Sequence, residues 1–271
     1  MSDSSPIPLH AVLLTVAYEG TSFHGYAVQP AARTVAGELL QAVQKLDPSV
    51  SRLRGASRTD AGVHAVGQRV AFDTVRSIPS RGWVLGLSRH LPVDVAVRGA
   101  GQVPLGYDPR AHSLEKHYRY TLLEDVCRDP LLERYAWRMA TGMDLELAKA
   151  EAAEAVGTHD FAAFRSSADL RTNTVRTIYE LSVSRAPHDP RQIRIDVRGS
   201  AFLHNMVRIL AGTLADVGRG RLAPGAVARA LRSGARSDLG ATAPPQGLCL
   251  RCIRLQPDAE GSWPVTANSL P

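Results

Sequence analysis

Arg58-Thr59-Asp60-Ala61-Gly62-Val63-His64-Ala65 is the stretch on which the reading of this chain turns. It sets one carboxylate on a short glycine-containing loop, with an arginine two positions before it. Strand-like segments flank it, over residues 50–56 and 66–75. In the second, Val70 and Phe72 alternate with Arg69 and Asp73, the period-two sign of a half-buried strand. A loop held between two strands keeps a reactive side chain both exposed and rigid. By itself the run also suits an ordinary turn, in which Asp-Ala-Gly bends the chain and Arg58 neutralises the acid.

Outward from this loop, strands and helices interleave in two halves with a similar order of elements. The first half begins with a strand over 9–18 and a helix over 34–46. That helix carries Val35, Leu39, Val43 and Leu46 on one stripe and stops at Asp47-Pro48. A helix over 80–90 and a strand over 93–103 follow the loop and its strands. The second half begins with a strand over 116–123, then a helix over 145–156 with Asp144 as N-cap and Gly157 as its stop. Strands over 178–184 and 193–197, a helix over 201–217 and a closing strand over 248–255 complete it. The expected lobes are 9–106, carrying the Asp60 loop, and 107–256, with loose tails at 1–8 and 257–271.

The 201–217 helix divides into two faces. Phe202, Leu203, Met206, Ile209, Leu210 and Leu214 form its apolar stripe, while Ala201, His204, Arg208, Gly212 and Ala215 lie together opposite. Small residues there permit close approach of another element, with His204 and Arg208 as the polar members. On the strand over 116–123, Tyr118 and Tyr120 share one face, a pairing that by itself suits ordinary packing.

The chain of 271 residues is long enough for one large domain or two modest ones with a well-buried core. Its 32 basic residues against 26 acids give a net charge of +6, a balance suited to polyanionic partners, nucleic acid first. All but Lys45, Lys116 and Lys149 are arginines, whose planar fork suits bidentate phosphate contacts. An alanine-rich texture points to coding bias as the main source of that excess, so the motifs carry the nucleic-acid reading.

Three cysteines, an odd number, point to a reducing compartment. Cys249-Leu250-Arg251-Cys252 has a metal-like spacing, but side chains three apart on a strand point to opposite faces and no second Cys/His pair stands nearby. With no His-Glu-x-x-His arrangement either, no metal is expected. Residues 1–8 lack the basic and apolar regions of a signal peptide, and no apolar run is long enough to cross a bilayer. A soluble cytoplasmic protein without membrane contact is expected.

The Arg58–Ala65 run is identical to the signature of the tRNA pseudouridine synthase A family, which the chain resembles along residues 12 to 255. Tyr18-Glu19-Gly20-Thr21-Ser22-Phe23-His24-Gly25 is similar to that family's opening strand and loop, and Leu91-Pro92-Val93-Asp94-Val95-Ala96-Val97 to its Leu-Pro-x-Asp-Ile-x-Val segment. Lys116-His117-Tyr118-Arg119-Tyr120 resembles its basic-x-Tyr-x-Tyr strand, and His159-Asp160-Phe161-Ala162-Ala163-Phe164 its His-Asp-Phe-x-x-Phe turn. Ala201-Phe202-Leu203-His204-Asn205-Met206-Val207-Arg208 and Thr242-Ala243-Pro244-Pro245-Gln246-Gly247-Leu248 complete the set.

The resemblance implies an α+β fold: two related RRM- or ferredoxin-like lobes sharing a continuous, mostly antiparallel sheet, with a central RNA-binding cleft. It implies a homodimer, and an isomerase that turns uridine into pseudouridine on the 3′ side of the tRNA anticodon arm, without a cofactor. Asp60 is then the catalytic carboxylate and Tyr118 the ring that stacks on an extruded uracil, a sound way to hold a base during chemistry. Arg208 sits near that carboxylate and keeps it ionised; at 4 Å and an effective dielectric near 20, such a contact corresponds to about 4 kcal/mol before desolvation. Arg58 contacts phosphate or fills the space left by the base. Three routes stay open to Asp60: attack on C1′, addition to the uracil ring, or removal of the ribose 2′ proton.

Rival classes fit less well. A non-catalytic RNA-binding protein with RRM-like lobes shares the charge and sheet, but has no need of Asp60 and lacks an aromatic-rich Gly-Phe-x-Phe strand. An aspartic hydrolase needs paired carboxylates, and phosphoryl transfer through an aspartyl intermediate needs a neighbouring acid and Mg²⁺. The chain also departs from the family pattern: Ser57 replaces a glycine, Tyr26 a tryptophan and Ser88 an asparagine, and Tyr107-Asp108-Pro109-Arg110 is a loose Phe-x-Ala-Arg segment. These departures bear on which uridines are reached.

Overall fold

The structure, a computed structural model, describes residues 10–256, residue 258 and the backbone of Glu260–Trp263. The chain divides into two compact units, residues 1–114 together with 250–271, and residues 115–249. Each contains strands and helices, in a mixed α/β fold whose sheet pairing is mostly antiparallel.

The first unit opens with β1 (His10–Tyr18), where Ala11, Val12, Leu13 and Leu14 are all buried. Such continuous burial marks a strand covered on both faces. Helix α1 (Val35–Leu46) follows; the Thr34 hydroxyl caps it by accepting from the Gly37 amide, and Val35, Leu39 and Val43 face the core. The strand expected over 50–56 shrinks to β2 (Arg54–Gly55). These residues stand opposite Ala71 and Val70 of β3 (His64–Thr74) and the Ala56 amide still donates to the Arg69 carbonyl, while the Val50 amide is tied back to the Asp47 carbonyl at 3.2 Å. β3 itself is not half-buried as its alternation suggested: Arg69 is buried along with Val70, Ala71 and Phe72. Helix α2 (Ser80–Ser88) lays Trp83 edge-on against Phe72 at 5.1 Å, and β4 (Val95–Val103) runs antiparallel to β1. Each such fully buried side chain contributes roughly 1.5–3 kcal/mol of transfer free energy.

The second unit contains all but the first two residues of β5 (Ser113–Glu124), with β6 (Trp137–Met139), α3 (Leu145–Glu154), β7 (Gly157–Asp160), β8 (Val175–Arg185), β9 (Gln192–Gly199), α4 (Met206–Gly218) and α5 (Ala226–Ser233). Its strands lie in the order β5-β9-β8-β7, antiparallel throughout, with β6 alongside β5 in the parallel sense. Tyr120, Leu122, Phe161, Phe164, Ile178 and Leu214 make its core. As expected, Asp144 caps α3, accepting from the Glu146 and Leu147 amides. Glu151, buried on α3, caps α5 by accepting from the amides of Gly225 and Val227.

Helix α4 corrects the sequence reading. It starts at Met206 and not at Ala201, because Asn205 adopts the left-handed conformation (φ 64°). Asparagine tolerates that conformation better than most residues. The preceding residues are held otherwise: the His204 amide donates to Asp169 and its carbonyl accepts from Ser166. The chain then supplies β10 (Leu248–Leu255) and β11 (Glu260–Trp263), the second of which pairs with β4. The first unit's order is thus β11-β4-β1-β3-β10. The tail expected from residue 257 therefore includes a paired strand, since the outer edge of β4 offers unpaired backbone groups to a returning segment. Residues 1–8 and the rest of that tail lie outside the described residues, Asp258 apart. Among the described residues no helix is long and apolar enough to cross a membrane.

Candidate active site

The Asp60 loop joins β2 to β3, and its backbone is pinned at Ser57, Thr59, Asp60 and Gly62. Ser57 exchanges backbone hydrogen bonds with the side chain of Gln68, donating to Oε1 at 3.2 Å and accepting from Nε2 at 2.7 Å. The Thr59 carbonyl accepts from the Tyr26 amide at 3.1 Å, and its hydroxyl lies 2.7 Å from the Tyr18 hydroxyl. The Asp60 carbonyl accepts from the Val63 amide at 3.2 Å, closing a turn whose third residue, Gly62, has φ +77°. A positive φ at that place of a turn favours glycine. The Gly62 amide in turn donates to Phe23. Thr59 is buried, Asp60 half-buried and Arg58 exposed. The backbone is therefore fixed while the carboxylate keeps access to solvent, which a reactive acid requires.

The second unit holds the other two predicted residues. Arg208 lies in the first turn of α4, where its Nε donates to the Ala243 carbonyl and Nη1 to Asn205 Oδ1, each at 2.8 Å. The Ala243 amide bonds back to the Arg208 carbonyl at 3.1 Å. Gly212, one turn along, permits this closeness: a Cβ there would lie 1.8 Å from the Ala241 carbonyl oxygen. The small face expected on this helix thus receives the 241–243 segment. His204 and Ala201, assigned to the same face, lie outside the helix.

Tyr118 is buried, its ring edge-on to Phe202 with centroids 5.4 Å apart. Tyr120, fully buried, donates its hydroxyl to the Pro244 carbonyl at 2.8 Å. Burial pushes that hydroxyl well above the usual phenol range, with the Arg208 charge pulling the other way. Arg208, Tyr120 and the Ala243-Pro244 backbone therefore form one neighbourhood. The sequence reading missed the Asn205 brace on Arg208 and the Gln68 clamp on Ser57. Asn205 was visible only as a polar residue three positions before Arg208, and Gln68 only as a polar residue in a strand otherwise rich in core types.

Among the described residues no three His, Cys, Asp or Glu side chains gather in a way that could hold a metal ion. Along β10, Leu248 and Leu250, then Ile253 and Leu255, are the buried positions. The alternation slips by one between the pairs, so Cys249 and Cys252 both fall at less buried positions, contrary to the strict alternation read from sequence.

A family described as tRNA pseudouridine synthase matches residues 152–254. The tRNA pseudouridine synthase A of Geotalea uraniireducens is 43% identical over 242 residues, covering 89% of this chain and 98% of its own length. That of Geobacter sp. (strain M21) is 44% identical over 241 residues, covering 88% and 96%. That of Thermoanaerobacter sp. (strain X514) is 38% identical over 239 residues, covering 88% and 97%. The chain belongs to the tRNA pseudouridine synthase A family. Likeness to solved structures is distant: the structure of an H/ACA RNP bound to a substrate RNA containing 2′-deoxyuridine aligns with 76% of this chain and 44% of that one, at 9% identity and a TM-score of 0.35.

Proposed function

We propose that this chain isomerises uridine to pseudouridine in tRNA, with Asp60 as the catalytic carboxylate. The observation that carries the reading is the Asp60 loop itself: a half-buried acid on a backbone fixed at Ser57, Thr59 and Gly62, in a chain whose relatives bear that activity in their names. The reaction breaks the ribose C1′ to uracil N1 bond, turns the freed base and joins C1′ to C5. The proton on C5 leaves and N1 gains one, so atoms and electrons balance and no oxidant, reductant or group carrier takes part.

In this reading Tyr118 stacks on the extruded uracil, Arg208 keeps the carboxylate ionised, and Arg58 contacts phosphate or fills the space the base vacates. Extrusion costs a few kcal/mol, which arginine–phosphate contacts offset. The exposure of Arg58 supports its part; the double anchoring of Arg208 supports a fixed rather than a wandering cation. The family resemblance supports the 3′ side of the anticodon arm as target, a homodimer as the working form and the cytoplasm as its location. RRM-like kinship of the two units is supported by each combining antiparallel strands with helices. Release of tritium from tRNA carrying C5-tritiated uridine tests the activity, and mapping pseudouridine in the product tests the arm. Binding without release would make the chain a non-catalytic RNA-binding protein.

A further inference from the structure

Beneath the Asp60 loop lies a set of buried polar side chains that the reaction itself does not use. Gln68 has no exposed surface and Tyr18 is 4% exposed, on strands whose buried positions are mostly apolar. Burying an amide and a phenol there costs free energy unless their hydrogen bonds are met. They are met by the loop. Gln68 Oε1 accepts from the amides of Ser57 and Arg69, while Nε2 donates to the Ser57 carbonyl and, at 3.5 Å, reaches the Tyr18 hydroxyl. Tyr18 then pairs with the Thr59 hydroxyl at 2.7 Å, one residue from the carboxylate.

The backbone of β1 supplies a second, independent observation. Its pairing with β3 runs regularly to Val16 opposite Gln68, then slips, so that Tyr18 stands opposite Ala65. Irregularities of this kind re-aim a side chain, and they gather beside active sites. Here the slip carries Tyr18 to the loop.

We propose that Tyr18 and Gln68 are positioning residues: a buried hydrogen-bonded latch, acting through Thr59 and Ser57, that sets the angle at which Asp60 meets the substrate. Neither touches RNA. The inference rests on Asp60 being the catalytic carboxylate. A misplacement of about 1 Å can cost on the order of 10²-fold in rate, so the latch acts on kcat rather than on binding.

The test is steady-state kcat and KM for tRNA, with melting temperatures, in Tyr18→Phe, Thr59→Val, their double variant and Thr59→Ser. The expected result is a roughly 10–100-fold lower kcat for Tyr18→Phe and for Thr59→Val, with KM within about twofold. The double variant should be no worse than either single one, because both remove the same hydrogen bond. Thr59→Ser, which keeps the hydroxyl, should restore kcat to within about threefold of wild type. Should Tyr18→Phe fail to fold, the Thr59→Val and Thr59→Ser pair decides alone. Wild-type kcat in Tyr18→Phe or Thr59→Val, or additive losses in the double variant, would overturn the proposal. Asp60→Asn run alongside separates the two readings: an inactive Asp60→Asn with a fully active Tyr18→Phe removes only the latch.

Discussion

Arg208 and Ala243 hold each other twice: the guanidinium Nε donates to the Ala243 carbonyl at 2.8 Å, and the Ala243 amide donates to the Arg208 carbonyl at 3.1 Å. With Nη1 also bound to Asn205, two points of a planar fork are fixed, a geometry that an ammonium cannot reproduce. Arg208→Lys keeps the charge and loses the fork. We expect a folded protein whose kcat/KM falls at least about tenfold, with Arg208→Ala lower still. Steady-state kinetics checks this, and a fully active Arg208→Lys removes the guanidinium geometry from the account.

Tyr118 separates ring from hydroxyl. Its edge-on contact with Phe202 survives in Tyr118→Phe, which should keep activity within a few-fold of wild type. Tyr118→Ala removes the stacking surface, and the loss should approach ~1–3 kcal/mol per stacked base, or roughly 5–150-fold in kcat/KM. A folded Tyr118→Phe without activity would show that the hydroxyl takes part in the chemistry.

Tyr26 offers a stability test. Its hydroxyl is buried and has no hydrogen-bond partner among the described residues, and its ring fits closely over Gly55. Burial accordingly drives that hydroxyl far above the usual phenol range. Tyr26→Phe deletes the unmet polar group and leaves the ring. The expected gain is about 1 kcal/mol, seen as a melting temperature higher by roughly 2–4 °C. A lower melting temperature would show that the hydroxyl has a partner.

Asp47 ties the end of α1 to β3. Nearly fully buried, it accepts from the amide and hydroxyl of Ser49, from the Thr74 hydroxyl at 2.5 Å and from the Val75 amide. Burial raises its carboxyl, but the hydrogen bonds from Ser49, Thr74 and Val75 outweigh this and hold it below the usual aspartate range. A depressed folded-state value means stability that is present above the unfolded value near ~3.9 and lost as pH falls through the folded one. At neutral pH Asp47→Asn should be less stable by about 1–3 kcal/mol. Denaturant titrations from about pH 6 to pH 3 should show the wild type losing more stability than the variant. Parallel losses would contradict the assignment.

What could be read in the sequence follows from where local and tertiary signals agree. In α1, the Val35-Leu39-Val43 stripe, the Thr34 cap and the Asp47-Pro48 stop all point to one helix, and it forms as read. In α4, Phe202 and Leu203 extend the apolar stripe backwards, yet Asn205 in a left-handed conformation and the Asp169 bond to His204 keep them out of the helix. Periodicity cannot register such a brace from a distant residue. Arg69 read as an outward-facing strand residue, but β3 is covered on both faces. The Asp60 loop was readable because its residue types were unusual together. Gln68 and Tyr18, which hold it, are ordinary residues whose role comes only from the pairing of β1 with β3.

The most direct test of the central claim is tritium release from C5-tritiated uridine in tRNA, measured for the wild-type chain and Asp60→Asn with tRNA binding followed in parallel. The account predicts more than about 10³-fold loss of release in Asp60→Asn, with binding changed by no more than a few-fold. An Asp60→Asn protein that retains more than a few per cent of wild-type release would contradict it.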